Sequence, residues 1–258
     1  MRGDPSRPLV AVTYNVHGGV GLDGRTDIAR IGEVLAELEP DIVALQEVHS
    51  AHDGALGGQV AELADRLQLH AVLGTTMRRD PGPFGNAILT HLPVVASGCF
   101  DLSVGAREPR CLMHVELEHY GRRLTVMNTH LGVRVRERHA QLERCAHLLE
   151  PDLADEDKQL LVMGDFNAWL PRGDVLGRLR AHFGTLPAPR SYPVRRPIFA
   201  LDRIMTRPAS LLREVRALTS PLARVASDHL PVWARLAPLA EPASASRSAR
   251  TSLGASTR

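Results

Sequence analysis

The chain has 258 residues, 44% of them apolar and 23% charged, which is the balance of an ordinary globular protein and excludes a collagen-like, coiled-coil or wholly disordered chain. Its formal net charge of +2 is carried by residues 237–258, where Arg247, Arg250 and Arg258 stand against Glu241, so residues 1–236 sum to zero. A neutral body is not built to coat long nucleic acid by counterion release, although a local basic patch stays open.

In chain order, Leu9–Asn15 alternates apolar and β-branched residues and stops at His17-Gly18-Gly19, which predicts a strand running into a glycine loop. Over Thr26–Leu38, residues Ile28, Ile31, Val34, Leu35 and Leu38 share one helical stripe that Pro40 ends. Asp41–Gln46 reads as a buried strand and Val60–Leu67 as a second amphipathic helix. Shorter strands follow at Asn86–Thr90, Leu112–Leu117 and Leu124–Asn128. Arg136–Leu149 is helical with Leu142, Cys145, Leu148 and Leu149 inward, and a strand at Gln159–Met163 opens into Gly164-Asp165-Phe166-Asn167. The last strands are Leu201–Thr206 and Leu230–Leu236. This mixture predicts a layered α/β sandwich. Without an internal repeat or a clean linker, the organisation is one domain over 1–236 and a disordered Ala/Ser/Arg-rich tail over 237–258.

Cys99, Cys111 and Cys145 make an odd count with no C-x-x-C spacing, which predicts free thiols in a reducing compartment. The apolar stretch Leu9–Val12 is too short for a signal-peptide core, and no run approaches the roughly 18 apolar residues of a membrane span. The expectation is a cytoplasmic monomer with no membrane insertion and no protein partner.

The informative pattern is where the polar groups fall. Asn15, Glu47, Asn128-Thr129-His130, Asp165 with Asn167, and Asp228-His229 each end, follow or directly precede an apolar strand, and Asp202 interrupts the apolar segment Ala200–Ile204. Strand ends of a sandwich converge on one edge, so these groups can meet in one pocket. Carboxylate and amide oxygens without a thiolate suit Mg²⁺, with Mn²⁺ as the alternative. Histidines beside acids suit proton transfer and contacts to a phosphate oxygen. Together they imply metal-assisted attack of water on a phosphate ester.

The ordered set Tyr14-Asn15-Val16-His17-Gly18-Gly19, Leu45-Gln46-Glu47-Val48, Gly85-Asn86-Ala87-Ile88-Leu89, Asn128-Thr129-His130-Leu131, Gly164-Asp165-Phe166-Asn167, Leu201-Asp202-Arg203-Ile204 and Ser227-Asp228-His229-Leu230-Pro231-Val232 resembles the endonuclease/exonuclease/phosphatase superfamily over about residues 9–236. The resemblance implies a four-layer α/β/β/α sandwich of two mixed β-sheets flanked by helices. It implies that Glu47 is the principal metal ligand, with Asn15 and Asp228 beside it. Asp165 orients or deprotonates the attacking water, Asn167 holds the scissile phosphate, and Asp228 fixes the imidazole of His229. Either Asp165 or His229 is the formal base. His130 contacts a phosphate oxygen or helps protonate the leaving group, supported by Asp202, for which an ion pair with Arg203 is the other reading. Asn86 lines the site, and Arg107 or Arg110 is the candidate for gripping phosphate where related nucleases place a tyrosine. His17 stands where abasic-site endonucleases carry Asp, as either a metal-site neighbour or a residue of the glycine loop.

Arg134, Arg136 and Arg138 form either a basic rim or a solvated helix start, and the proline-rich loop Leu186–Pro197 is expected to overhang the pocket. The expected activity is a Mg²⁺-dependent phosphodiesterase acting on nucleic acid or a phospholipid-like headgroup. A phosphomonoesterase of inositol-phosphate type and an inactive phosphate-binding module are the alternatives. Only ten Phe, Tyr and Trp residues are present, which argues against processive single-strand binding on stacking platforms.

Overall fold

The computed structural model describes residues 4, 6–50, 58–80, 82–169, 176–183 and 188–239. Strands β1 (Leu9–Asn15), β2 (Ile42–His49), β3 (His70–Arg79), β4 (Gly82–Thr90), β10 (Leu212–Ala217) and β11 (Val232–Leu236) form a six-stranded sheet in the order β10-β11-β1-β2-β4-β3. Strands β5 (Val94–Asp101), β6 (Cys111–His119), β7 (Arg122–His130), β8 (Leu160–Asp165) and β9 (Asp202–Arg207) form a second sheet in sequence order. Each sheet is mixed: β1 pairs β2 and β7 pairs β8 in parallel, while the other pairs are antiparallel.

The period of two along each strand sorts side chains into layers. In β1, Leu9 and Ala11 join Ile42, Ala44, Met113, Val126 and Met163 between the sheets. Val12 and Tyr14 face the other way, against α1 (Ile28–Ala36) and α2 (Gly58–Leu67), through Ile31, Leu35 and Leu63. On the far side, Leu112, Met127 and Val162 pack under Leu142, Cys145 and Leu149 of α3 (Val135–Ala154) and Leu179 and Phe183 around α4 (Gly177–His182). This is the expected four-layer sandwich. Each of these fully buried Leu, Ile or Phe side chains contributes about 1.5–3 kcal/mol by leaving water.

α1 begins two residues after the expected Thr26, because Asp27 is its N-cap, the side chain accepting from Arg30 N at 2.9 Å. α3 runs past its expected end and through Pro151, because Asp152 in its last turn is buried and ion-paired with His114 and Lys158. Strands β3, β5 and β10 were not expected, and the expected 237–258 tail starts too early. Ala237 and Leu239 belong to the inter-sheet core, and Ala237 N donates to Leu211 O at 2.7 Å. Residues 240–258 lie outside the described residues. Cys99 is exposed while Cys111 and Cys145 are buried, and all three are free thiols. Among the described residues no helix is long and apolar enough to cross a membrane.

Two buried amides stitch the sheets directly behind the polar strand ends. Gln46 Nε2 donates to Asn128 Oδ1 at 2.8 Å, and Asn128 Nδ2 donates to the backbone oxygens of Leu45 at 2.9 Å and Ala87 at 3.0 Å. Each bond contributes about 1 kcal/mol net, and any register that left these amides unpaired would cost about 1–3 kcal/mol in desolvation, so the network holds the two sheets in one alignment.

Candidate active site

The site forms where β1, β2, β7 and β8 end and β9 begins. Backbone register does much of the placement: His130 lies opposite Asp165 across the parallel β7–β8 pair, and Asp165 opposite Asp202 across β8–β9. On β2 a bulge sets Gln46 and Glu47 together against Asn86 of β4, and Glu47 adopts a left-handed backbone (φ 56°). The extra residue turns consecutive side chains differently, so Gln46 enters the core while Glu47 reaches the site. Gly164 (φ 145°) lets β8 approach β7 closely, because a Cβ there would sit 2.0 Å from Thr129 O.

Asn15 bridges two carboxylates. Its Nδ2 donates to Glu47 Oε1 at 3.1 Å and to Asp165 Oδ2 at 3.2 Å, while its Oδ1 accepts from His17 N at 3.1 Å. Asp165 Oδ1 accepts from Asn167 N at 2.9 Å, and Asn167 Nδ2 donates to Leu131 O at 2.8 Å. His130 Nε2 lies 3.5 Å from Asp165 Oδ2 and 3.9 Å from Glu47 Oε1. Glu47, Asn86, Arg110, Cys111 and His130 line one recess.

Four assignments are corrected by these contacts. Asp202 does not support His130; its Oδ2 lies 2.8 Å from Nδ1 of His229 and also accepts from Ser191 Oγ. Asp228 therefore does not fix the His229 ring. Its carboxylate is about one-third exposed and lies 3.9 Å from His17 Nδ1, while its backbone oxygen accepts from Val194 N. The two candidate arginines also separate: Arg107 Nε is 3.9 Å from Glu137 Oε2, whereas Arg110 Nη1 reaches His130 Nδ1 at 2.7 Å. Arg138 is neither a rim nor solvated, since it is buried and donates to the backbone oxygens of Gly132 and Val133.

Burial and neighbouring charges drive the two imidazoles apart. Burial, then Arg110 and His229, holds His130 well below the usual histidine range. Burial also opposes charge on His229, but Asp202, by its charge and its hydrogen bond, followed by Asp165 and Asp228, raises it to about 10. Asp165 is pushed up to about 6 by burial, with His229 opposing the shift and Asp202 adding to it.

Sequence reasoning missed Ser191 and the rings around it. Tyr192 packs on His229 with centroids 4.8 Å apart, and Trp169 meets Tyr192 at 5.4 Å and Phe199 at 5.1 Å. The described part of the proline-rich loop thus closes on the site as expected, whereas Leu186 lies outside the described residues.

The sequence matches the Endonuclease/Exonuclease/phosphatase family over residues 12–229. It is 29% identical over 243 residues to the "Uncharacterized protein YbhP" of Escherichia coli K12, covering 87% of this chain and 94% of that one. The structure resembles the endonuclease/exonuclease/phosphatase protein of Beutenbergia cavernae DSM 12333 with a TM-score of 0.73 and 25% identity, covering 90% of this chain and 72% of that chain. The human Nocturnin catalytic domain shares the fold at a TM-score of 0.69 and 21% identity, over 90% and 93% of the two chains.

Proposed function

The chain belongs to the endonuclease/exonuclease/phosphatase family, whose members are hydrolases of phosphate esters, and from that premise we propose that it is a Mg²⁺-dependent phosphodiesterase. The observation that carries this reading is the convergence of Asn15, Glu47, His130, Asp165, Asn167, Asp202 and His229, from β1, β2, β7, β8, β9 and the segments after β8 and before β11, onto one edge of the sandwich.

The donor set fits a divalent ion. The strained backbone of Glu47 presents a one-quarter-exposed carboxylate, and Glu47, Asp165, Asp202 and Asp228 leave hard oxygen donors and surplus negative charge in the site. Asp165, Asp202 and His229 also offer ligand atoms within 4.8 Å of one another. That trio is already engaged through the His229–Asp202 and Ser191–Asp202 contacts, so the proposed holder is Glu47, with Asn15 and Asp228 beside it as the family resemblance implies. Mg²⁺, or Mn²⁺ in its place, supplies Lewis acidity that neutralises charge on the phosphate.

The remaining steps fall to side chains. The Asp202 carboxylate behind Nδ1 favours the imidazolium form of His229, so Asp165 acts as the base that takes a proton from the attacking water. Asn15 and the backbone N–H of Asn167 hold that carboxylate in place. The second Nδ2 hydrogen of Asn167 is available to a phosphate oxygen, since one already goes to Leu131 O. His229 donates to the phosphate or returns a proton to the departing alkoxide, with Asp202 stabilising its charge. A cytoplasmic location suits three free thiols.

Hydrolysis of bis-(p-nitrophenyl) phosphate, plasmid DNA and a phosphomonoester, each with Mg²⁺, Mn²⁺ or EDTA, tests the proposal beside Glu47→Ala and His229→Ala. Metal-dependent diester turnover lost in both variants is expected. Turnover of the monoester alone, or activity unchanged in either variant, overturns it.

A further inference from the structure

Arg110 precedes β6 and is 9% exposed, and His130 is 5% exposed; Arg110 Nη1 lies 2.7 Å from His130 Nδ1. A guanidinium carries five N–H donors, no acceptor, and does not deprotonate in proteins. The contact therefore has one chemical solution: Nδ1 presents its lone pair to Arg110, and the ring proton resides on Nε2. We propose that Arg110 is a positioning residue that locks His130 in the Nε2–H tautomer, so that His130 serves as a fixed hydrogen-bond donor to a phosphate oxygen and carries no proton through the reaction.

The surroundings fit that role. Glu108 Oε1 lies 3.3 Å from the same Nη1 and steadies the guanidinium from the outer side. Nε2 sits 3.5 Å from Asp165 Oδ2 and 3.9 Å from Glu47 Oε1, both beyond ordinary hydrogen-bond length. Its N–H is thus directed between the two carboxylates, at the recess that Asn86 and Arg110 also line, without being consumed by either. His229 has the opposite arrangement: its Nδ1 faces the Asp202 carboxylate, an acceptor. The two imidazoles flank Asp165 with a cation behind one and an anion behind the other. Only the second is built to give up and regain a proton. The nature of the acceptor, a phosphate oxygen, rests on the phosphodiesterase reading; the tautomer itself does not.

Imidazole ¹⁵N NMR of the full chain labelled at histidine reads the tautomer without substrate, and a His130→Gln chain identifies the signal. An Nδ1 resonance in the unprotonated range with a protonated Nε2 is expected. A proton on Nδ1 overturns the proposal. In Arg110→Met the signal is expected to become a mixture of tautomers, while Arg110→Lys, still a cationic donor, preserves the wild-type pattern; an unchanged tautomer in Arg110→Met removes Arg110 from the role. If Arg110→Met does not fold, the wild-type spectrum still decides the tautomer. In hydrolysis, Arg110→Met is expected to lower kcat by roughly tenfold to a hundredfold with KM little changed and with recovery in Arg110→Lys. A raised KM at intact kcat assigns Arg110 to direct substrate contact instead and overturns the proposal. Because the spectrum needs no turnover, a failure of the phosphodiesterase reading and a failure of the lock are separately visible.

Discussion

His229 Nδ1 and Asp202 Oδ2 lie 2.8 Å apart, with both residues buried and Ser191 Oγ donating to the same carboxylate oxygen. This pairing comes from residues 27 positions apart in sequence, and the adjacent Asp228 takes no part in it. Asp202→Asn keeps the shape of the contact and removes the charge that sustains the imidazolium. We expect it to lower kcat by roughly a thousandfold to ten-thousandfold, as for other carboxylate-backed catalytic histidines. Asp228→Asn should cost much less in kcat and act mainly through metal affinity. Steady-state kinetics of the two variants at several Mg²⁺ concentrations decides the assignment, and equal losses at saturating metal would refute it.

Asn15 separates charge as well as lining the site. Its amide nitrogen sits between Glu47 Oε1 at 3.1 Å and Asp165 Oδ2 at 3.2 Å, so Asn15→Asp replaces a donor shared by two carboxylates with a third carboxylate. In metal-free buffer at neutral pH this variant should melt below both wild type and Asn15→Ala, because like charges in a buried site repel. Added Mg²⁺ should raise its melting temperature more than it raises that of wild type, since binding the folded state stabilises by mass action. Calorimetry with and without metal measures both effects.

The two raised groups make the metal-free fold sensitive to base. Asp165 moves from 3.8 unfolded to about 6 folded through burial, and His229 from 6.5 to about 10 through Asp202 once burial is overcome. A pKa raised by folding gives stability that is complete below the unfolded value and is lost as pH rises through the folded one. The Asp165 contribution therefore disappears between pH 3.8 and about 6, and that of His229 between 6.5 and about 10. In EDTA, Asp165→Asn should melt higher than wild type at pH 8, and with Mg²⁺ restored it should have no hydrolytic activity. Melting curves across pH that superimpose for the two chains would exclude a buried charge at Asp165.

Much of this site is legible in sequence because strand-end residues are ordered by the fold: Asn15, Glu47, His130, Asp165 and His229 can be placed at one edge before any coordinates. Pairings across the edge are not legible. Whether Asp202 serves His130 or His229 depends on how β9 meets the segment before β11, and no local pattern encodes that. Ser191 and Tyr192 sit in a loop whose significance comes only from what it closes upon. Among the strands, β5 was hidden because it lies at a sheet edge and is exposed along its whole length, which removes the alternation by which half-buried strands are recognised. Leu239 was hidden because one apolar anchor among Ala and Pro does not form a period.

Glu47 joins function to backbone strain. Its left-handed conformation at the β2 bulge, φ 56°, is one that a residue with a Cβ holds at a penalty of about 1–3 kcal/mol, whereas glycine adopts it freely. The carboxylate also faces Asp165 through the shared Asn15 amide, so without metal it is electrostatically opposed as well as strained. Glu47→Gly relieves both burdens and removes the principal ligand. In EDTA this variant should melt no lower than wild type, and above Glu47→Gln, which keeps the strain. Its melting temperature should not respond to Mg²⁺, and diester hydrolysis should be absent. If Glu47→Gly melts well below Glu47→Gln, the bulge is held by the side chain itself and not by the β2–β4 pairing around it. If it still shifts with Mg²⁺, the principal ligand lies elsewhere in the site.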